Sequence, residues 1–242
     1  MGIEGSDILT AIGNNGWLFT VAGLAYLAGS FPSAYFVTRK MSGKNISAEG
    51  SGNVGSMNAY GLIKQGGSKK KATAGLLITL LMDLGKGTLA ICIARCLNFT
   101  GYDPLAATTI ASAFVILGHN YPFYFRFKKG GRGIAPLIGI LLALKPVSIA
   151  IWAGTVLLSI FIWQRIMAGR IPRDSFSSVF SIVGSQVSGR IAGLCLALIP
   201  LYLYDSGLLF PVLSATSLIL IKHSGVIREM LVKSCKKQAE RG

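Results

Sequence analysis

Residues 72–97 read ATAGLLITLLMDLGKGTLAICIARCL. The run is long enough to cross a bilayer core as one helix, which takes about 20 residues. Asp83 and Lys86 stand in its middle, three residues apart and therefore on one helix face. An isolated ion at that depth is costly, so the two are expected to pair with each other or to face a wet cleft, as structural supports of it. Gly85 and Gly87 beside them would let a neighbouring helix approach closely.

Working outward, further apolar runs follow at 16–37, 104–117, 134–144, 147–163, 176–204 and 207–221. Hydrophobic residues make up 52% of the 242-residue chain and charged residues only 14%, against about 25% charged in a soluble domain. Mean hydropathy is +0.58. The chain is therefore expected to be an all-α, polytopic membrane bundle of about seven helices forming one domain over 1–242. The net charge of +15 does not point to nucleic acid, because the cations cluster between spans. The basic segments 39–71, 126–132, 165–173 and 222–241 fall on one side if the amino terminus lies outside and the carboxyl terminus in the cytoplasm. Such segments also attract anionic membrane lipid. Residues 1–16 hold no Lys or Arg, unlike a signal peptide, so no cleavage is expected. Cys92, Cys96, Cys195 and Cys235 have no metal-ligand spacing and read as small apolar residues, with no metal site or cofactor implied.

The chemistry concentrates in two glycine-rich loops of the basic side. The first, residues 49–61, reads EGSGNVGSMNAYG. Its glycines permit positive φ and let successive N–H groups converge on an anion. Ser51, Asn53, Ser56 and Asn58 add short polar side chains, whereas the GxxxxGK[ST] spacing of a nucleotide loop is absent. The second, residues 118–133, reads GHNYPFYFRFKKGGRG, with Gly130 and Gly131 between Lys129 and Arg132. Its aromatic residues suit the membrane interface. The serines of 175–188 suit either a polar cavity or hydrogen bonding between helices.

These stretches, with GSFP from Gly29, DLGKG from Asp83, SSVFS from Ser177 and His223 after the last span, resemble in order the PlsY-type membrane acyltransferases. The resemblance implies a seven-helix bundle with a cytoplasmic groove, and transfer of a fatty acyl group from acyl phosphate to glycerol 3-phosphate. It implies catalytic roles for His223 and Ser178. Substrate binding would fall to Ser30, Arg39, Ser51, Gly52, Asn53, Asn58, His119, Lys129, Gly130, Gly131 and Arg132. The HxxxxD motif of other glycerolipid acyltransferases is missing, since Tyr124 and Arg228 stand five residues after His119 and His223. The chain departs from the family pattern at Ser47, Met57, Gly61, Arg132, Pro136, Val226 and Glu229. An altered acceptor, or a non-catalytic anion or lipid transporter, are the alternatives that these changes leave open.

Overall fold

The computed structural model describes residues 5–97, 103–168, 187–225 and 228. Ten α-helices are present, with no strand among the described residues: α1 Gly5–Ser30, α2 Ser33–Ser42, α3 Ser56–Lys64, α4 Lys69–Cys96, α5 Pro104–Asn120, α6 Ile134–Leu144, α7 Val147–Ala168, α8 Val187–Leu196, α9 Leu198–Tyr204 and α10 Leu209–Lys222. Among the described residues, three helical stretches, Lys69–Cys96, Val147–Ile166 and Val187–Tyr204, are long and apolar enough to cross a membrane. Ile134–Leu144 and Ser206–Lys222 are shorter apolar helices.

Local chemistry sets the breaks. The run expected over 16–37 divides at Phe31 and Pro32, because proline has no N–H to donate and drives the preceding residue out of helical conformation. Gly43 then ends α2 at φ 74°, its N–H bonded to the Arg39 carbonyl. Ser68 caps α4 by accepting from the Lys71 N–H at 3.2 Å, and Asp103 caps α5 by accepting from Leu105 at 2.8 Å. Helix α5 continues past the expected limit of 117, so His119 lies within its last turn instead of beyond it.

Glycines bring the helices together in pairs. A Cβ at Gly29 would overlap the Val115 carbonyl, and one at Gly118 would overlap that of Tyr26, so α1 and α5 meet backbone to backbone. Gly87 and Gly139 do the same for α4 and α6, and Gly189 and Gly193 seat α8 on α7. Gly85 does not share this role, contrary to expectation, because it faces open space. The common core includes Val115, Ile116, Leu137, Ile140 and Ile219, while Leu81, Leu158, Ile162 and Leu203 project outward. An apolar exterior around a core that also holds Ser33, Asp83, Lys86 and His119 is the distribution of a protein solvated by lipid.

Candidate active site

Four buried polar side chains from three helices meet near the ends of α1 and α5. Lys86 Nζ lies 2.6 Å from Asp83 Oδ1 and donates to Ser33 Oγ at 3.0 Å. Ser33 Oγ donates to the same carboxylate oxygen, and His119 Nδ1 stands 3.8 Å from it. One carboxylate thus ties α2, α4 and α5 together, and the Lys86 charge offsets the cost of burying it.

The second glycine loop lies directly on this centre. A Cβ at Gly131 would overlap His119 Nε2, and one at Gly130 would overlap the Asn120 carbonyl, so only glycine permits the approach. The Gly131 N–H donates to the His119 carbonyl at 3.0 Å, and the Gly130 carbonyl accepts from the Val54 N–H at 3.3 Å. That last bond docks the first glycine loop on the second. Between them is a cleft lined by Ser30, Lys86, His119, Gly130 and Gly131, with an inner volume of about 10 Å³. A cavity of that size holds about one water. Ser30 Oγ is fully buried there with no hydrogen-bond partner among the described residues.

The first loop is shaped from within by Asn58. Its Nδ2 donates to the carbonyls of Asn53 at 3.0 Å, Glu49 at 3.2 Å and Ile46 at 3.4 Å, and its Oδ1 accepts from the Ser51 N–H at 3.1 Å. Gly50 and Gly52 take φ of 65° and 67°. Ser51 is exposed, Gly52 and Asn53 are half-buried, and Lys129 crosses from the other loop to donate to the Ser47 carbonyl at 2.7 Å. Arg39 is exposed on α2, where its guanidinium donates to the Gly43 carbonyl at 2.9 Å.

His223 occupies the other side of the second loop. Its Nδ1 is 2.8 Å from the Ile219 carbonyl. A carbonyl only accepts, so Nδ1 carries the proton and Nε2 presents a lone pair. Burial chiefly holds the His223 pKa below the ordinary 6.5; the Ile219 bond opposes this, and the charges of Arg132 and Arg190 add to the lowering. These cations stand at one end of an apolar slot of about 380 Å³ between α6, α7 and α8. Met57, Ile134, Ile160 and Arg190 line one end of the slot and Trp152 the other.

The fold therefore joins Ser30, His119, Gly130 and Gly131 at one cleft, with Ser51, Gly52, Asn53 and Asn58 in the loop docked on it and Lys129 bridging the two. Arg132 and Arg190 flank the neutral His223 at a second edge, while Ser178 lies outside the described residues. Sequence reasoning left Ser33, Arg190 and Trp152 out of the site. A lone arginine interrupting the apolar run 176–204 was the available signal for Arg190; Ser33 and Trp152 carried none, because serines near helix breaks and tryptophans in spans are common.

The glycerol-3-phosphate acyltransferase family model matches residues 19–233. Curated glycerol-3-phosphate acyltransferases are similar over most of their length. That of Clostridioides difficile (strain 630) is 31% identical over 75% of this chain and 85% of its own, and that of Pseudomonas paraeruginosa 32% identical over 88% and 95%. The crystal structure of PlsY, an integral membrane glycerol 3-phosphate acyltransferase in its glycerol 3-phosphate form, is similar at TM-score 0.62 and 25% identity, over 89% of this chain and 92% of that one. Its lysophosphatidic acid form shares the fold at TM-score 0.57. An all-helical integral membrane bundle is thus the class to which this chain conforms. The chain belongs to the glycerol-3-phosphate acyltransferase family, membrane acyltransferases of phospholipid synthesis. Membership decides for the enzyme over the transporter.

Proposed function

We propose that the chain transfers a fatty acyl group from acyl phosphate to glycerol 3-phosphate, giving lysophosphatidic acid. The observation that supports this reading is that Arg132 and Arg190, which both act on His223, stand at the end of an apolar slot that Arg190 itself lines. A fatty acyl phosphate has that division in its own chemistry. Its chain would run between α6, α7 and α8, and its phosphate would lie against Arg132 and Arg190. Glycerol 3-phosphate would bind along the two glycine loops, with Ser30, Ser51, Asn53 and Lys129 around it and Asn58 keeping the first loop in shape.

The donor is already activated, so the protein needs no nucleophile and supplies position and charge instead. The glycerol hydroxyl oxygen attacks the acyl carbonyl carbon, the bond from that carbon to the phosphate oxygen breaks, and phosphate leaves with the electron pair. The hydroxyl proton passes to His223 Nε2, whose lone pair the Ile219 bond leaves available. Ser178 remains a candidate at the acyl centre through its place in the SSVFS motif alone.

Seven crossings, an external amino terminus and a site on the cytoplasmic face of the cell membrane complete the proposal. The one-sided distribution of Lys and Arg supports them, and anionic lipid would gather at the same basic side. Purified protein in lipid, given acyl phosphate and glycerol 3-phosphate, is expected to form lysophosphatidic acid and free phosphate. Consumption of the donor only with another polyol would replace the acceptor, and no consumption by folded protein would overturn the proposal.

A further inference from the structure

One lining residue stands at the end of the apolar slot remote from the glycine loops. Helix α6 starts at Ile134, immediately after the second glycine loop, and runs away from the site. Helix α7 returns towards it, and Gly189 and Gly193 seat α8 on Ile160 and Val156 respectively. These pairings order the lining by depth. Ile134, Ile160 and Arg190 stand level with the site, Ile138, Val156 and Leu194 lie deeper, and Trp152 is deepest. Along α7, the eight residues from Ile160 to Trp152 correspond to about 12 Å of helix.

Trp152 is only 6% exposed, and its indole N–H has no hydrogen-bond partner among the described residues. Burying an unpaired N–H among apolar side chains is unfavourable, so packing stability alone would select phenylalanine or leucine here. What tryptophan supplies in exchange is the largest side-chain bulk available, across the end of the slot.

We propose that Trp152 is the floor of the acyl slot and sets the longest fatty chain that the enzyme transfers efficiently. This rests on the acyl-transfer reading above. Chains that end short of the indole gain from each added methylene, whereas a chain that reaches it must bend out of the slot or displace the ring. Trp152 touches no reacting atom in this arrangement. It is a specificity-determining residue, and its signature is a change in which donor is preferred, not a uniform loss of rate.

The test compares kcat/KM over a homologous series of saturated acyl phosphates, from decanoyl to octadecanoyl, with glycerol 3-phosphate held saturating. Trp152→Ala is expected to move the falling limb of the series to longer chains, by about fourfold in relative kcat/KM for each methylene newly buried. Ala153→Phe, which adds bulk beside the floor, is expected to move it to shorter ones. Trp152→Phe keeps most of the floor and should shift the limb only slightly, which preserves the test should the alanine variant fail to fold. A folded Trp152→Ala protein with the unmodified protein's chain-length profile, or with all donors reduced in equal proportion, would overturn the proposal. Failure of the unmodified protein to transfer from any donor is a separate result, and would remove the acyl-transfer reading itself.

Discussion

Gly131 and His119 are in direct contact: the Gly131 Cα lies so close to the imidazole that a Cβ would overlap Nε2, while its N–H donates to the His119 carbonyl at 3.0 Å. The buried histidine is thus a platform that sets the height of the second glycine loop, and through Val54 and Gly130 that of the first. Substituting Gly131→Ala forces the loop outward or the ring aside. A misplacement of about 1 Å at a reacting centre can cost about 10²-fold in rate. Turnover is expected to fall by about that factor with the thermal unfolding midpoint little changed, and near-normal turnover would refute the platform role.

Under that platform, Asp83 carries the only negative charge among Ser33, Lys86 and His119. Asp83→Asn leaves the Lys86 ammonium buried without its counter-ion, at a cost of about 3 to 5 kcal/mol. Asp83→Leu combined with Lys86→Met removes both charges and should be less destabilising than the single change. Thermal unfolding of the variants in detergent checks the ordering. A double variant weaker than Asp83→Asn would count against a charge-driven effect.

Asn58 makes a different kind of contribution. Its amide spans three carbonyls and one N–H of a loop that has no regular structure of its own. Asn58→Asp retains the acceptor for Ser51 but places a negative oxygen against the three carbonyls. Loss of these bonds is expected to cost about 2 kcal/mol. The change should appear mainly as a raised KM for glycerol 3-phosphate, measured at saturating donor. An unaltered KM would show that the loop does not contact the acceptor.

Sequence reading reached the helical membrane class, the Asp83–Lys86 pair and the two glycine loops, because each has a local physical cause. Residues three apart share one helix face, and glycine takes positive φ without the steric cost that a Cβ imposes. It did not reach the partners. That His119 underlies Gly131, that Ser33 completes the Asp83 cluster, and that Arg190 faces Arg132 and His223 depend on how five helices pack. Gly85 and Gly87 illustrate the limit: they are two residues apart, yet α6 covers Gly87 and leaves Gly85 open.

At the far end of the bundle, Lys145 Nζ lies 2.9 Å from Asp205 Oδ2, joining the α6–α7 turn to the turn before α10. The bond raises the Lys145 pKa and lowers that of Asp205. Any stabilisation by Asp205 is present above its unfolded pKa and lost as pH falls through the lowered one; that by Lys145 is present below its unfolded pKa and lost as pH rises through the raised one. Both side chains are solvent-accessible, so Asp205→Asn should change the unfolding midpoint little at neutral pH and less still in high salt. A large salt-insensitive loss would contradict this.

His223 gives the pH dependence that bears on catalysis. Its pKa is held below 6.5, first by burial and then by Arg132 and Arg190, against the raising effect of the Ile219 bond. The neutral ring is therefore the folded form's preference: stability from this site is complete above 6.5 and is lost as pH falls from there through the lowered folded value. A base with that pKa leaves kcat/KM flat through neutrality, with an acid limb below 6.5. Arg132→Gln removes one of the cations, makes protonation easier and should move the acid limb to higher pH, though only partly towards 6.5 because burial persists. His223→Ala should abolish the limb together with most of the activity. The measurement is kcat/KM against pH for the three proteins, read for the limb's position, not its height, since Arg132 is also expected to hold phosphate. A limb that stays in place in Arg132→Gln would separate the arginine from the base, and one that survives in His223→Ala would assign the proton transfer to the substrate's own phosphate oxygen.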